Sequence, residues 1–330
     1  IMFVVTQKQL NNMSGNINLI NKLNELFNLG LVRKQFHPEL PLIIWNYSVK
    51  CQWEKKWNEY PLTLQCLGLV TDNEGNIVAQ CLPKFFNLHE LEPLGIEIPN
   101  ESFTVLEKED GSMIQLFYYQ NQWVVSSKGS FTSDHVGWAW DILRQKYQVT
   151  LDLLVTNNAM LGHNFVFELI TPQGRIVRDY GQTKELFLLA VINKKGKELS
   201  TIFDGRDHYF NFPLVKQYNG ITEYATLSKM VADDHECFVV RFNSGFRLKI
   251  KGQEYLRLHK AITNLTSYDV WEAYCKKIPF EQFIEPFPDE MFDWIENVWN
   301  EVEYNLNQKF EELSSEYWRL NRQILTVGNM

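Results

Sequence analysis

The feature that most constrains the fold is a change in sequence pattern near residue 265. Between about residues 40 and 260, short β-rich segments alternate with turns, and three of them predict hairpins: LVTDNEGNIVAQ, FYYQNQWVV and FVVRFNSGFRLKI. After about residue 265 the strand pattern ends and aromatic residues recur at helical spacing. Because strands and helices are segregated along the chain, the predicted fold class is α+β with antiparallel sheets.

The same change in pattern predicts two domains, which 330 residues are enough to form. We expect residues 1–264 to form the β-rich domain and residues 265–330 to form a small, all-helical C-terminal domain. An amphipathic helix is predicted within residues 16–30. The helical tail is rich in acidic residues, which repel phosphates, so we do not expect it to grip a nucleic acid broadly. We expect it to pack on the β-rich domain, or on a partner, through Trp294, Trp299, Phe310 and Trp318.

Composition excludes several classes of protein. The five cysteines are scattered, odd in number and never spaced C-x-x-C, which argues against a disulfide framework or a structural zinc site and favours a reducing, intracellular compartment such as the cytoplasm. No apolar segment approaches the roughly 18–20 residues of a membrane span, and the first residues do not predict a signal peptide. The formal net charge is −8, so a nucleic-acid partner would need a local basic groove. The oligomeric state is left open.

The stretch TVLEKEDGSM, residues 104–113, places Lys108 among Glu107, Glu109 and Asp110, directly before Gly111. Two interpretations are open. The EDGS segment is a good turn, so Lys108 could be a solvated charge on a surface hairpin. Alternatively, Lys108 is a nucleophile presented at the end of a strand. These ten residues do not distinguish the two interpretations, so the rest of the chain has to decide.

Charged residues on other predicted strands favour the nucleophile. Lys128 lies in SSKGS, Glu168 in the apolar strand FVFEL, and Glu236 opens the strand ECFVVRF. Lys249 and Lys251 alternate with apolar residues in LKIK, so both face the same side of a strand. Each residue taken alone is explained by an ordinary strand end or solvent face. Their order along one series of β-elements is what points to a common site.

This ordered set resembles the covalent nucleotidyltransferase superfamily of ATP-dependent DNA and RNA ligases and mRNA capping enzymes. Within it, the chain is most similar to the RNA ligase 1 type, typified by the bacteriophage enzyme that repairs cut tRNA. The resemblance covers roughly residues 16–260 and is carried, in the family's order, by PKFFNLHE, EKEDGSM, SSKGS, FELITPQGRIV, LFLLAVIN and RLKIK.

The resemblance implies an antiparallel-sheet nucleotidyltransferase domain that acts as an ATP-dependent RNA ligase. Lys108 would attack the α-phosphate of ATP and form lysyl-AMP, with Mg²⁺ or Mn²⁺ as the second cofactor. The partner implied is RNA with 3′-OH and 5′-phosphate ends, a cut tRNA being one candidate. A lysine nucleophile must be neutral, so nearby positive charge or burial has to lower its pKa.

The resemblance also assigns roles to individual residues. The catalytic residues implied are Lys108, Lys249 and Lys251, and the metal ligands implied are Glu168, Glu236 and Asp110. An aromatic ring would stack on adenine. The nucleotide pocket implied comprises Trp45, Lys84, Phe86, Glu107, Lys108, Gly111, Lys128, Glu168, Leu189, Glu236, Val239, Lys249 and Lys251.

Two positions depart from the family pattern and keep alternatives open. Leu67 stands where the family usually has an arginine, and Cys237 stands where it usually has a glycine after Glu236. A catalytically impaired protein that binds nucleotides or RNA ends is therefore one alternative. A DNA or broad nick-sealing ligase is another, although the helical tail argues against the β-barrel OB-fold that follows the catalytic domain of DNA ligases and capping enzymes.

Overall fold

The computed structural model describes residues 16–156, 161–174, 178, 180–193, 196–199, 211–224, 227, 237–251, 265–284, 287 and 291–327. The chain divides into two compact units, Ile1–Tyr255 and Leu256–Met330. This division lies close to the boundary predicted after residue 264. The assignment of adenylyl transfer to the first unit remains a prediction.

The described residues contain thirteen strands, all in the first unit. Strands β1 to β5 are Val32–Phe36, Leu42–Tyr47, Leu67–Asp72, Ile77–Ala79 and Phe86–Asn87. Strands β6 to β10 are Phe103–Lys108, Ser112–Tyr119, Gln122–Ser127, His163–Ile170 and Glu185–Asn193. Strands β11 to β13 are Gln217–Tyr218, Cys237–Phe242 and Arg247–Lys251.

Eight α-helices lie within the described residues. Helices α1 to α5 of the first unit are Asn16–Asn28, Val49–Trp53, Leu88–Leu91, Asp134–Lys146 and Gln148–Thr156. Helices α6 to α8 of the second unit are Ser267–Cys275, Phe280–Ile284 and Phe292–Val327. Among these helices none combines the length and the apolar character that crossing a membrane requires.

The strands form three sheets. The first has the order β1-β2-β3-β4, the second β10-β9-β7-β8 and the third β11-β6-β12-β13-β5. Neighbouring strands are antiparallel except for the short pair of β13 with β5. The predicted α+β class with antiparallel sheets and a helical C-terminal region is therefore confirmed.

Two of the apolar cores in the first unit connect its helices to its sheets. One joins α1, the first sheet and the third sheet through fully buried side chains such as Leu23, Trp45 and Phe242. The other packs α4 and α5 on one face of the second sheet, where Ile114 and Phe167 are fully buried. Side chains alternate between the two faces of a strand, so the neighbours of these residues point to the other face of the second sheet.

A buried amide network links that other face to the first sheet. The Gln115 amide Nε2 donates to the carbonyl oxygen of Gly68 at 2.7 Å, and the Asn164 Nδ2 donates to Gln115 Oε1 at 2.7 Å. The Gln115 side chain is fully buried, so leaving it unpaired would cost about 1–3 kcal/mol. The network therefore fixes β3 of the first sheet against β7 and β9 of the second.

The second unit is organised around Trp299 of α8. Its ring contacts those of Tyr274, Phe280 and Phe283, with centroids 5.1–5.9 Å apart. Further along α8, however, Phe310 and Trp318 are 72% and 62% exposed. Trp299 therefore packs within the second unit, while Phe310 and Trp318 are exposed. Packing of the tail on the first unit or on a partner stays a prediction.

Candidate active site

Lys108 lies where the chain passes from the third sheet to the second. It ends β6, and β7 begins at Ser112, so residues 109–111 form the connection. Lys108 is half-buried, and its Nζ lies 3.5 Å from the backbone oxygen of Glu109. The residue is therefore part of a packed junction between two sheets rather than the tip of a surface hairpin.

Gly111 is required at this junction because a side chain has no room there. A Cβ at this position would meet the backbone oxygen of Leu169, and it would lie 2.6 Å from Ile170 Cδ1. Since a backbone oxygen cannot rotate away, β7 or β9 would have to shift. The predicted placement of Gly111 beside the nucleotide remains a prediction, but its close approach to β9 explains why glycine is needed.

We expect Gly111→Ala to destabilise the first unit by about 1–3 kcal/mol, the usual cost of an overpacked site. Gly137→Ala is the matched control, because a Cβ at Gly137 meets nothing within 4 Å. Urea unfolding of both variants measures the difference in free energy. Equal stability of the two variants would contradict the close packing described at Gly111.

Strand register places Lys108 and Lys249 on the same face of the third sheet. Lys108 pairs with Cys237 of β12, and Val239 pairs with Lys249 of β13. Directly paired residues share a face, as do residues two apart on one strand. Val239 is half-buried between the two lysines, as expected for a residue that lines a pocket. The backbone of Lys251 also pairs with Cys237.

Glu168 is fixed beside the same junction. It is half-buried in β9 and pairs with Met113, and its Oε1 accepts a hydrogen bond from the backbone N–H of Gly111 at 3.1 Å. One predicted metal ligand therefore lies against the turn that follows Lys108. The other, Glu236, lies outside the described residues. No group of three or more metal-ligating side chains occurs within the described part of the chain.

A second cluster of positive charge forms around Tyr47. Lys128 Nζ donates to Tyr47 Oη at 3.1 Å, and Lys84 Nζ donates to the same oxygen at 3.4 Å. Both ammonium groups also lie over the Tyr47 ring, 4.6 and 5.1 Å from its centroid. Two lysines predicted from separate motifs thus converge on one phenol. Tyr47 itself was not predicted.

The two predicted aromatic residues of the pocket are both buried. Trp45 is fully buried, and its Nε1 donates to Thr71 Oγ1 at 3.0 Å, so its ring is part of the core and presents no surface for adenine. Phe86 is also buried and pairs with Leu248, on the face of the third sheet opposite Lys249. The ring centroid of Phe85 lies 5.7 Å from Lys249 Nζ, so this ring is beside a lysine of the site face.

The acidic residues around Lys108 are held by Arg178. Its Nη1 donates to Glu107 Oε1 at 2.6 Å, and its backbone N–H donates to Asp110 Oδ2 at 2.8 Å. Asp110 is only 3% exposed, and these contacts hold it in place. Its metal role stays a prediction. Glu107 faces the core side of the sheet, paired with Phe238, and its side chain does not lie on the face that carries Lys108.

Charge and burial shift the pKa values of Arg178 and Tyr180 in this cluster. Burial alone would lower the pKa of Arg178, but the hydrogen bond that Arg178 donates to Glu107 and the charges of Tyr180, Glu107 and Glu109 outweigh burial, so the pKa is raised. Burial raises the pKa of the Tyr180 phenol, which donates to Glu109 Oε2 at 2.8 Å. Both groups therefore stay protonated and act as donors to the carboxylates.

The remaining predicted residues are placed as follows. Leu189 is half-buried at a bulge of β10 and packs beside Cys81. Leu67, which replaces the family arginine, pairs with Asn46 next to Tyr47. The backbone of Leu67 therefore lies next to the strand residue that precedes Tyr47. These placements leave the nucleotide contacts of Leu189 and the effect of Leu67 as predictions.

Several site residues could not be found from the sequence. Phe85 and Phe86 are adjacent aromatics, so nothing local shows which of them faces the site. Arg178 and Tyr180 lie about seventy residues from the carboxylates they contact. The sequence signal for Tyr47 was only its place in the segment WNY, where Trp45 was preferred.

Comparison with known proteins agrees with this arrangement. The family model for RNA ligases of the T4 RNA ligase 1 type matches residues 65–255, more than half of the chain. A protein of Autographa californica nuclear polyhedrosis virus, named as a bifunctional polynucleotide kinase/RNA ligase, is 24% identical over 248 residues. The match covers 69% of this chain and 35% of the viral protein, so the chain spans about a third of that relative's length.

Solved structures of an RNA ligase from Naegleria gruberi are also similar. A mutant with ATP and Mn is 15% identical, with a TM-score of 0.44, over 53% of this chain and 56% of the other. The same ligase with PPi is 18% identical, with a TM-score of 0.43, over 54% and 57%. The matched family range contains the junction at Lys108, both lysines of β13 and Glu168 of β9. The resemblance inferred from the sequence motifs is thus confirmed, and the chain belongs to the RNA ligase family of the T4 RNA ligase 1 type.

Proposed function

We propose that the chain is an ATP-dependent RNA ligase that joins an RNA 3′-OH to an RNA 5′-phosphate. The observation that carries the proposal is the shared face of Lys108 and Lys249 beside Glu168, within the range matched by the family model. A nucleophilic amine, a second positive charge and a carboxylate are the groups that transfer of a nucleoside phosphate needs.

In the proposed reaction, the lone pair of Lys108 Nζ attacks the α-phosphorus of ATP. A P–N bond forms, the P–O bond to pyrophosphate breaks, and the amine loses a proton to solvent. An oxygen of the RNA 5′-phosphate then attacks the lysyl-AMP phosphorus; the P–N bond breaks, the lysine leaves as it takes up a proton from solvent, and RNA-adenylate forms. Finally the 3′-OH attacks the RNA 5′-phosphorus and loses its proton to solvent; a phosphodiester forms, and the P–O bond to AMP breaks so that AMP leaves.

The residues of the site have different roles in this reaction. Lys249 stabilises the negative charge that develops on the α-phosphate. Glu168, with Glu236, suits a hydrated Mg²⁺ or Mn²⁺, because hard cations retain waters and bind one or two carboxylates. The metal would supply Lewis-acid stabilisation of the phosphates. The presence of ATP and Mn in a structure of the Naegleria gruberi ligase supports this choice of cofactors.

The cluster at Tyr47 is the proposed site of the β- and γ-phosphates. Lys84 and Lys128 lie within 3.4 Å of one phenol oxygen, and their two positive charges suit an anionic ligand. Lys128 follows Ser127, which pairs with Ile114, and the adjacent Met113 pairs with Glu168. Lys128 and Glu168 are therefore at the same end of the second sheet, as a shared triphosphate requires.

We expect Lys128→Met to raise the KM for ATP by about 10- to 100-fold, the loss of one charge-assisted contact of about 1.5–3 kcal/mol. Sealing of RNA that already carries a 5′-adenylate should be much less affected, because that substrate has no β- and γ-phosphates. Lys146→Met, at an exposed ion pair with Glu185, is the control. An unchanged KM for ATP in Lys128→Met would remove the cluster from the triphosphate site.

Joining of cut RNA tests the proposal as a whole. The purified chain with ATP and Mg²⁺ should join an RNA with a 5′-phosphate and a 3′-OH, and it should leave a matched RNA with a 5′-hydroxyl unjoined. The role we propose is the repair of cut RNA, for which a nicked tRNA loop is one substrate to compare. A chain that binds ATP and joins neither RNA nor DNA would favour the impaired binding protein, and preferred joining of DNA nicks would favour the nick-sealing ligase.

We also propose a reducing, intracellular site of action. Three cysteines of the described residues, Cys51, Cys66 and Cys81, are buried and free. Burial raises the pKa of Cys51 to about 11 and that of Cys81 to about 12. These thiols thus stay protonated at neutral pH and are unreactive. Alkylation of the folded chain should spare them, and labelling of all three at the rate of an exposed thiol would contradict this.

A further inference from the structure

One apolar stripe runs along helix α8, and its two halves differ in exposure. In the first half, Ile295 is fully buried, and the ring of Trp299 contacts those of Tyr274 and Phe280 within the second unit. From Leu306 onward the same stripe is exposed, although apolar surface is more stable away from water. A run of exposed apolar side chains that continues a packed one marks an interaction surface.

The exposed half of the stripe, here called the seam, has the spacing of a coiled coil. It consists of Leu306, Phe310, Leu313 and Tyr317, which are 39%, 72%, 61% and 61% exposed. At about 100° per residue, the four side chains fall within an arc of about 60°. Steps of four, three and four residues place Phe310 and Tyr317 at a positions and the two leucines at d positions. A seam this narrow matches the width of another helix.

We propose that the seam is a dimer interface, on which α8 of a second copy of this chain packs in the antiparallel direction. The inference goes beyond the proposed function, because it concerns assembly and not chemistry. Acidic neighbours disfavour RNA as the occupant, since they repel phosphates. Glu311 and Glu312 lie more than about 100° from the centre of the seam, so they stay in water and do not oppose a second helix.

The charges that flank the seam favour this pairing. Lys309 and Glu316 occupy successive g positions, and both are exposed. In an antiparallel pair, g positions lie opposite g positions. When Phe310 packs against Leu313 of the second copy, Lys309 therefore lies opposite Glu316 of that copy. Two-fold symmetry forms the same ion pair a second time, so the seam is complementary to itself in charge as well as in shape.

Parallel pairing lacks this complementarity. In a parallel pair the g positions face e positions, so Lys309 and Glu316 would meet Ser314 and Asn321, which carry no charge. The aromatic groups packed around Trp299 cover one end of the stripe. Parallel helices would bring both of these groups to the same end of the seam, whereas antiparallel helices place them at opposite ends.

The present contact of Lys309 does not compete strongly with the proposed one. Its Nζ lies 2.8 Å from Glu312 Oε2 on the same helix, and the two side chains are 68% and 65% exposed. Water and salt screen an ion pair this exposed, so it contributes little. Dimerisation therefore gives up little at Lys309 and adds a contact beside a seam from which water is removed.

Sedimentation equilibrium of the full chain tests the interface. We expect mostly dimer at about 100 µM protein and dissociation on dilution, as a Kd of about 1 µM gives. Leu313→Glu puts a charge in the seam of each copy and should raise the Kd by at least about 100-fold. Ser315→Glu adds the same charge on the opposite side of the helix and is the matched control. A monomer at every concentration would overturn the inference and leave the seam to a different protein, and a dimer that Leu313→Glu does not weaken would also overturn it.

Reversal of the flanking charges tests the direction of the pairing. Lys309→Glu and Glu316→Lys should each raise the Kd by about 10-fold, because each turns two attractive contacts per dimer into repulsive ones. The double variant, Lys309→Glu with Glu316→Lys, restores both ion pairs in the opposite sense and should return the Kd to near the wild-type value. Single variants without effect, as a parallel dimer predicts, or a double variant no tighter than the singles, would overturn the antiparallel pairing. These measurements follow mass and not catalysis, so a failure of the proposed function would leave their outcome unchanged.

Discussion

Replacing Lys108 with methionine is expected to abolish protein–AMP formation, a loss of at least about 10³-fold for removal of a nucleophile. Methionine is unbranched and uncharged, so it can follow the path of the lysine stem at this half-buried position. The fold should therefore persist, because the carboxylates beside Lys108 keep their partners on Arg178 and Tyr180.

The same variant should still seal RNA that already carries a 5′-adenylate. In that last step the 3′-OH displaces AMP from the RNA phosphate, and no lysine is bonded to phosphorus. Lys184→Met, at an exposed position, is the matched control and should label normally. Labelling of Lys108→Met at the wild-type rate would move the nucleophile to another residue.

Lys249→Ala is expected to lower the rate of protein–AMP formation by about 10²–10³-fold, the usual effect of losing one group that stabilises developing charge. Its amine lies on the site face beside Phe85, and Val239 separates it from Lys108 in register. Because Lys249 acts on the phosphate rather than as the nucleophile, sealing of adenylated RNA should also fall.

The loss of sealing on adenylated RNA distinguishes Lys249 from Lys108, because replacement of Lys108 should leave that sealing step intact. Lys184→Ala again serves as the control, and circular dichroism checks that the secondary structure of the whole chain is unchanged. Glu168→Ala should lower the rate of protein–AMP formation, as Lys249→Ala does. Added Mn²⁺ should restore part of the activity of Glu168→Ala and none of the activity of Lys249→Ala. If both variants keep the wild-type rates, the assignment of this face as the active site is wrong.

Strand patterns predicted the hairpins well because turns are encoded locally. All three predicted hairpins are present, as β3–β4, β7–β8 and β12–β13. In the second of these, Gln120 and Asn121 adopt positive φ angles of 45° and 61°, which suits a tight two-residue turn. The α+β class followed from these local signals.

The sheet face that a side chain occupies, and contacts between residues far apart in sequence, were harder to predict. The sequence favoured Trp45 and Phe86 as pocket residues, but register decides which side of a strand a ring occupies, and both rings lie in the core. The resemblance implied a metal role for Asp110, which stays a prediction. The hydrogen bond from the backbone N–H of Arg178 to Asp110 joins residues 68 positions apart, so no local sequence signal could show it.

The account depends most directly on a covalent bond between Lys108 and AMP. Incubating the purified chain with ATP and Mg²⁺, followed by intact-mass measurement and peptide mapping, tests that bond. We expect one AMP per chain, located on Lys108 and removed by added pyrophosphate. A folded chain that binds ATP but gains no AMP, or that carries AMP on a different residue, would contradict the account.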